Sequence, residues 1–199
     1  MTSITLVSSL LAVVVSFIGL AFSYQANELA LEQYRQARLL VLTANFDKEN
    51  DFDILVEPVD DKAHFMKGQV TFPSSISEEP SPIDSKGRVF YMGTISHNIK
   101  EAFLKDTKPE DGVYKMATQE IPIIVKSYYV SNGVSYTDTS LYLLGVQLTL
   151  MDDEYSYPTI EYSSFSFISR YKNEDDITVK VLDKILSGEY VIRLPGAVL

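Results

Sequence analysis

The sequence predicts an α+β protein: an N-terminal transmembrane helix continuing into an amphipathic helix, then a mostly antiparallel β-sheet domain with two short helices. Three observations predict it. Residues 1–27 carry no charged side chain, and Ile4 to Tyr24 is a nearly unbroken apolar run. Residues 24–44 contain no Gly or Pro and are rich in Ala, Leu, Glu, Gln and Arg, which are good helix formers. From Glu120 onward β-branched and aromatic residues dominate, with stretches in which apolar positions alternate at a period of two.

The apolar run comes first. At roughly 1.5 Å per residue, Ile4 to Tyr24 reaches about 30 Å, the hydrocarbon thickness of a bilayer. Its interruptions, Thr5, Ser8, Ser9, Ser16 and Ser23, are small hydroxyls that can bond back to their own helix. The segment 1–27 therefore predicts a transmembrane helix that places the bilayer among the partners. Ala21-Phe22-Ser23 also fits a cleavage site after a secretory signal. That alternative lacks a positive start, because Met1-Thr2-Ser3 holds no Lys or Arg, and its apolar core is longer than most signal cores.

Arg35 and Arg38 follow the span and no basic side chain precedes it, so the positive-inside bias predicts a single-pass inner-membrane protein with a cytoplasmic C-terminal domain. Cysteine is absent, which excludes disulfides, thiol nucleophiles and zinc-cysteine sites.

Residues 28–44 predict a juxtamembrane amphipathic helix. Leu20, Tyr24, Asn27, Leu31, Tyr34, Arg38 and Val41 recur at heptad spacing, with Asn27 able to fix register. In the span, Ser8, Ala12 and Ser16 form a small-xxx-small strip that Gly19 and Ser23 extend. The helix-association residues are thus Ser8, Ala12, Ser16, Gly19, Asn27, Leu31 and Tyr34. Two outcomes fit them: a homo-oligomer or membrane protein partner, and docking of the stripe on the protein's own domain.

The net charge of −10 falls on residues 45–199, since the acids and bases before them cancel. A surface of that sign repels phosphate backbones and anionic headgroups, so nucleic acid is excluded and only the helix is expected to touch lipid. Within the acidic domain, Phe52 to Glu57 reads as a short strand. Asp47-x-Glu49-x-Asp51-Phe52-Asp53 resembles the donor spacing of a calcium loop, but Phe52 replaces the turn glycine and Pro58 the closing glutamate, so a solvated acidic turn is expected.

Gln69 to Phe72 predicts a strand and Pro73 to Gly87 a long loop. Arg88 to Ile95 predicts a strand, Ser96 the N-cap of a helix to about Lys105, and residues 106–119 a polar loop. Ile121 to Val130 predicts a strand that turns at Ser131-Asn132-Gly133 into Val134 to Tyr136. Tyr142 to Leu150 has the cleanest alternation in the chain, and Thr159 to Tyr171 follows it as the third antiparallel strand. Asp176 to Ser187 is assigned as the second helix on its Ile177, Val181, Leu182, Ile185, Leu186 stripe, although Ile177, Val179 and Val181 alone read as a strand, and Tyr190 to Leu194 is assigned as a closing strand.

Chemistry-bearing motifs are missing. His64 and His97 are the only imidazoles and neither sits in a metal-ligand spacing. No nucleophile elbow or phosphate-cradling glycine loop occurs. The sequence assigns no catalytic residue, no cofactor and no metal. Thirteen tyrosines stand out instead. Tyr128, Tyr155, Tyr157 and Tyr162, interleaved with serines, form a candidate binding face, because tyrosine combines rigid contact area with a polar tip. Packing within strands accounts for tyrosines equally well.

The span followed by Ser23-Tyr24-Gln25-Ala26-Asn27-Glu28-Leu29-Ala30 resembles the start of many small, uncharacterised single-pass bacterial membrane proteins. That resemblance implies an inner-membrane anchor carrying a cytoplasmic domain. A long helix, apolar then amphipathic, before a β-rich head is also similar to a type IV pilin, although the charged residue near the start of a mature pilin helix and the basic leader are missing. The function expected is a non-catalytic, membrane-anchored cytoplasmic interaction or sensing module, an accessory subunit of a larger membrane complex. The alternative is an extracytoplasmic structural subunit, pilin-like, or a secreted binding domain.

Overall fold

The computed structural model describes residues 15–31, 39–47, 53–153 and 155–192. The chain divides into two compact units, Met1–Leu39 and Leu40–Leu199. In the first, residues 15–31 form helix α1. Tyr24 closes one turn on it by donating to Glu28 Oε1 at 3.1 Å. Ser8, Ala12 and Tyr34 of the association set lie outside the described residues; Ser16, Gly19, Asn27 and Leu31 lie on α1 and are all exposed.

The membrane span expected over 1–27 is not supported by the structure. Residues 1–14 lie outside the described residues, and among the described residues no helix is long and apolar enough to cross a membrane. The amphipathic helix expected to run to residue 44 is corrected: Leu42–Phe46 is strand β1. Leu40 and Leu42 are only 1% and 2% exposed while Leu39 and Thr43 face solvent, a period of two. Once a sheet is there to receive the alternate leucines, burial outweighs their helix propensity, which differs among such residues by only about 0.5 kcal/mol.

The second unit is α+β with two antiparallel sheets. β1 pairs with β2 (Ile54–Pro58), and the larger sheet has the order β4-β3-β5-β6-β7, from β3 (Ala63–Thr71), β4 (Ser81–Ile83), β5 (Lys115–Ser131), β6 (Val134–Leu150) and β7 (Thr159–Tyr171). β5 and β6 make one hairpin of 17-residue strands, so the two short strands read at 134–136 and 142–150 are one. Asn132 and Gly133 take φ of 50° and 76°, the paired left-handed values of a type I′ turn whose twist matches the strands. Pro122 is tolerated in β5 because it falls beyond the last β3 pair, Thr71 with Ile124, where no neighbour on that side asks for its N–H.

Side chains alternate across this sheet. One face carries Ile121, Ile123, Val125, Tyr142, Leu144, Val146 and Leu148 into the main core. β1 and β2 cover it with Leu42, Ile54 and Val56, and helix α2 (Met92–Asp106) covers it with Met92, Ile95 and Ile99. The helix starts four residues before the N-cap expected at Ser96, and the strand expected over 88–95 shrinks to isolated bridges at Arg88 and Val89. The 3, 4 spacing of Met92, Ile95 and Ile99 decides this, because it buries all three on one helical stripe. Ser96 is fully buried instead and shares a 2.7 Å hydrogen bond with the Tyr162 hydroxyl.

The opposite face has a smaller cluster, Ile124, Leu141 and Ile168, capped by Ile177 and by Leu182 of helix α3 (Val179–Leu186). The loop 73–87 is held down on both sides. Ser74 donates from its N–H and its hydroxyl to Asp183 of α3, and Asn98 of α2 donates to the Ile76 carbonyl. Residues 190–192 are not a strand, and residues 193–199 lie outside the described residues.

Candidate functional site

Helix α3 has eight residues, about 12 Å of helix, which cannot cover a sheet whose central strands run 17 residues. The rung Thr71, Ile124, Leu141 lies at the α3 cluster. The next two rungs outward are Gln69 with Lys126 and Lys67 with Tyr128 and Thr137. They line a groove of about 570 Å³. Lys67, Gln69, Tyr128 and Thr137 are exposed and Lys126 is half-buried.

A β-bulge builds this groove. The register of β3 against β5 shifts between Phe65, opposite Tyr129, and Lys67, opposite Tyr128. In a regular strand residues two apart share a face, so Lys67 would follow Phe65 into the core. With Met66 as the extra residue, Phe65 is 8% exposed and Lys67 turns outward. Gly68 lets the strands close beside it: a Cβ there would lie 2.6 Å from the Lys126 carbonyl and 2.9 Å from the Phe65 ring. Lys67 and Lys126 stand on neighbouring rungs of this groove. Among the described residues lining the groove there is no carboxylate.

The polar groups on the core face are spent on structure. Arg170 donates to Asp138 and to the Leu40 carbonyl, and the Ser140 hydroxyl donates to the same Asp138. Tyr142 stacks on Phe165 with ring centroids 4.6 Å apart and accepts a hydrogen bond from the Leu42 N–H at 3.0 Å. Burial pushes its phenol up to about 12, partly offset by that hydrogen bond. Burial raises the Tyr129 phenol as well, helped by the Asp138 charge.

The four tyrosines of the expected binding face do not share one. Tyr128 stands in the groove, whereas Tyr162 belongs to the core face, where it stacks against Phe46 at 6.2 Å. Tyr155, 86% exposed, sits in the turn between β6 and β7. Tyr157, from the same turn, donates to Glu101 Oε1 at 3.0 Å and lies 3.0 Å from His97 Nδ1, fastening the turn to α2. Its phenol is raised by desolvation and then by Glu101. His64 and His97 are both exposed. Among the described residues no group of His, Asp and Glu side chains could hold a metal ion.

Sequence reasoning singled out Tyr128 but not Lys67, Gln69, Lys126 or Thr137. Their juxtaposition depends on pairing register and on a bulge, and neither leaves a local pattern. No protein-family model matches the chain, and neither a curated protein nor a solved structure matches it.

Proposed function

We propose that this chain is a non-catalytic interaction or sensing module, held at a cell membrane by its N-terminal segment, with residues 40–199 on the cytoplasmic side as an accessory subunit of a larger membrane complex. The observation that carries the reading is the exposure of an apolar helix. Val15, Phe17, Ile18, Leu20 and Phe22 of α1 are 60%, 71%, 51%, 70% and 67% exposed. At 100° per residue these positions circle the helix instead of forming one stripe. A single protein partner covers a stripe, whereas lipid covers every side. The residues before it carry no charged side chain either, so the uncharged stretch read from the sequence has the length a bilayer requires.

The domain supplies the module. Its ionic pairs and buried hydroxyls tie strands together, and the open sheet groove offers a surface for recognition. The cytoplasmic placement is supported by Arg35 and Arg38 after the span. The test uses the absence of cysteine: Ser75 is exposed, so a Ser75→Cys chain carries a single reactive thiol. Treating intact cells with an impermeant maleimide is expected to leave it unlabelled until the cells are lysed. Labelling of intact cells overturns the cytoplasmic placement, and release of the chain by alkaline carbonate overturns the anchor.

A further inference from the structure

We infer that the sheet face on the far side of helix α3 from the groove is a docking surface for a basic amphipathic helix of a partner protein. The inference names the kind of partner and rests on the reading of residues 40–199 as an interaction module.

Space is the first argument. Alternation along β5 and β6 puts Met116, Thr118 and Glu120 on the same face as Ile124, and Gly145, Gln147 and Thr149 on the same face as Leu141. The register of β7 adds Thr159 and Glu161 opposite Thr149 and Gln147. Met116, Thr118, Glu120, Thr159 and Glu161 are all exposed. Helix α3 covers this face at Ile124 and Leu141, and Leu143, opposite Pro122, still packs against its cluster. From Pro122 to Lys115 β5 runs on for seven residues, about 23 Å, the length of a helix of about 15 residues. Helices cover sheet faces in layered domains, and a second helix laid beside α3 completes the layer.

Surface chemistry selects the occupant. Met116 is 61% exposed, and Tyr114 and Met151, which flank the Lys115–Leu150 rung at the open end of the hairpin, are 57% and 52% exposed. Flexible methionines beside an aromatic ring fit apolar side chains of varied shape. Carboxylates surround them. Glu120 and Glu161 stand on either side of β6, about 12 Å apart in the backbone, and Asp111, Asp152 and Asp153 are exposed in the turns at the outer end. Among the described residues these stretches of β5, β6 and β7 place no lysine or arginine on the face. Lys115 occupies an alternate position, and its ammonium donates to the Lys108 carbonyl and to Glu110. A helix about 10 Å wide seated over β6 sets its two flanks against Glu120 and Glu161, so the complementary partner carries an apolar stripe with lysine or arginine on both sides. Anionic lipid and nucleic acid meet the same carboxylates and are repelled.

The experiment uses the full chain in a neutral detergent. The probe is a fluorescein-labelled peptide of leucine and lysine with the leucines in helical i, i+3, i+4, i+7 order, and the control has glutamate in place of lysine. The lysine peptide is expected to give a saturable rise in anisotropy that weakens with added salt, and the control to bind at least tenfold more weakly. Glu120→Lys with Glu161→Lys is expected to weaken the lysine peptide at least tenfold. Glu78→Lys with Glu79→Lys, exposed acids of loop 73–87 changed to the same net charge, should leave it within about twofold. Met116→Gln with Met151→Gln should weaken it several-fold. All variants share one detergent, so partition of the peptide into micelles cancels from the comparison. A benzophenone in the peptide's apolar stripe is expected to cross-link to Met116 or Met151 of the unsubstituted chain, a measurement that decides if a variant fails to fold. Equal binding of the glutamate peptide, equal weakening by both charge pairs, cross-links confined to other residues, or absence of both binding and cross-link overturns the assignment. Dissociation of an oligomer of the chain alone by Met116→Gln with Met151→Gln gives the face to a second copy and overturns the partner helix. None of these outcomes alters the cysteine-labelling or extraction results.

Discussion

The guanidinium of Arg170 on β7 donates through Nε to Asp138 on β6 and through Nη2 to the carbonyl of Leu40, the residue where the folded domain begins. One side chain thus joins two sheet strands to the incoming chain. Asp138 is 8% exposed, and this pairing offsets the cost of burying its carboxylate.

Arg170→Leu leaves a buried carboxylate unpaired and is expected to cost about 3 kcal/mol in urea unfolding. Adding Asp138→Leu should recover more than half of that, because the cost lies mainly in the orphaned charge and not in the lost attraction. Equal losses in the single and double variants would refute this account.

Tyr142 makes the domain sensitive to alkali. Its folded-state value, about 12, lies above the ordinary 10, so the folded state holds the phenolic proton more tightly than the unfolded state does. The stability linked to this group is complete below about pH 10 and falls by about 1.4 kcal/mol per unit as pH rises towards 12. Absorbance at 295 nm should show Tyr142 ionising late, at the pH where the fold opens. Tyr142→Phe strands the Leu42 N–H at the expense of about 1–2 kcal/mol and removes the step.

Gly87 and Gly112 both have positive φ, 84° and 72°, and should respond differently to alanine. At Gly87 a Cβ would sit 1.9 Å from the Val56 carbonyl, which accepts no such approach, while at Gly112 it meets nothing within 4 Å. Thermal unfolding is expected to show about 1 kcal/mol lost for Gly112→Ala, from backbone strain alone, and about 3 kcal/mol or more for Gly87→Ala.

The anchor is tested by charge. Val15→Asp with Ile18→Asp puts two carboxylates on α1, each costing about 2 kcal/mol or more in a bilayer. The chain should then move from the carbonate-resistant pellet to the supernatant, and unchanged retention would point to a protein tether instead.

Self-association through the helix is read by cross-linking in membranes. The unsubstituted chain is expected to give a dimer or higher species that Asn27→Ala with Leu31→Ala reduces several-fold, both residues lying exposed on α1. A chain that stays monomeric before substitution ends the homo-oligomer reading.

Thr159–Tyr171 and the turn at Asn132-Gly133 could be read directly from residue order, since alternation and left-handed turn residues act over a few positions. Helix α3 was equally readable from its apolar stripe, although it covers less of the sheet than its sequence suggests. In the candidate site Tyr128 was visible as an aromatic among serines, without its neighbours.

What the linear pattern could not supply depends on contacts distant in sequence. Leu40-Val41-Leu42 serves a helix or a strand equally well locally, and became extended because a sheet stood ready to bury alternate leucines. Arg170 finds Asp138 32 residues away and Leu40 130 residues away. Lys67 reaches the groove because one bulged residue inverts the parity of its strand. Local propensities differ by tenths of a kcal/mol, whereas burying a leucine or pairing a charge is worth several times more, so wherever the two compete the tertiary contact prevails.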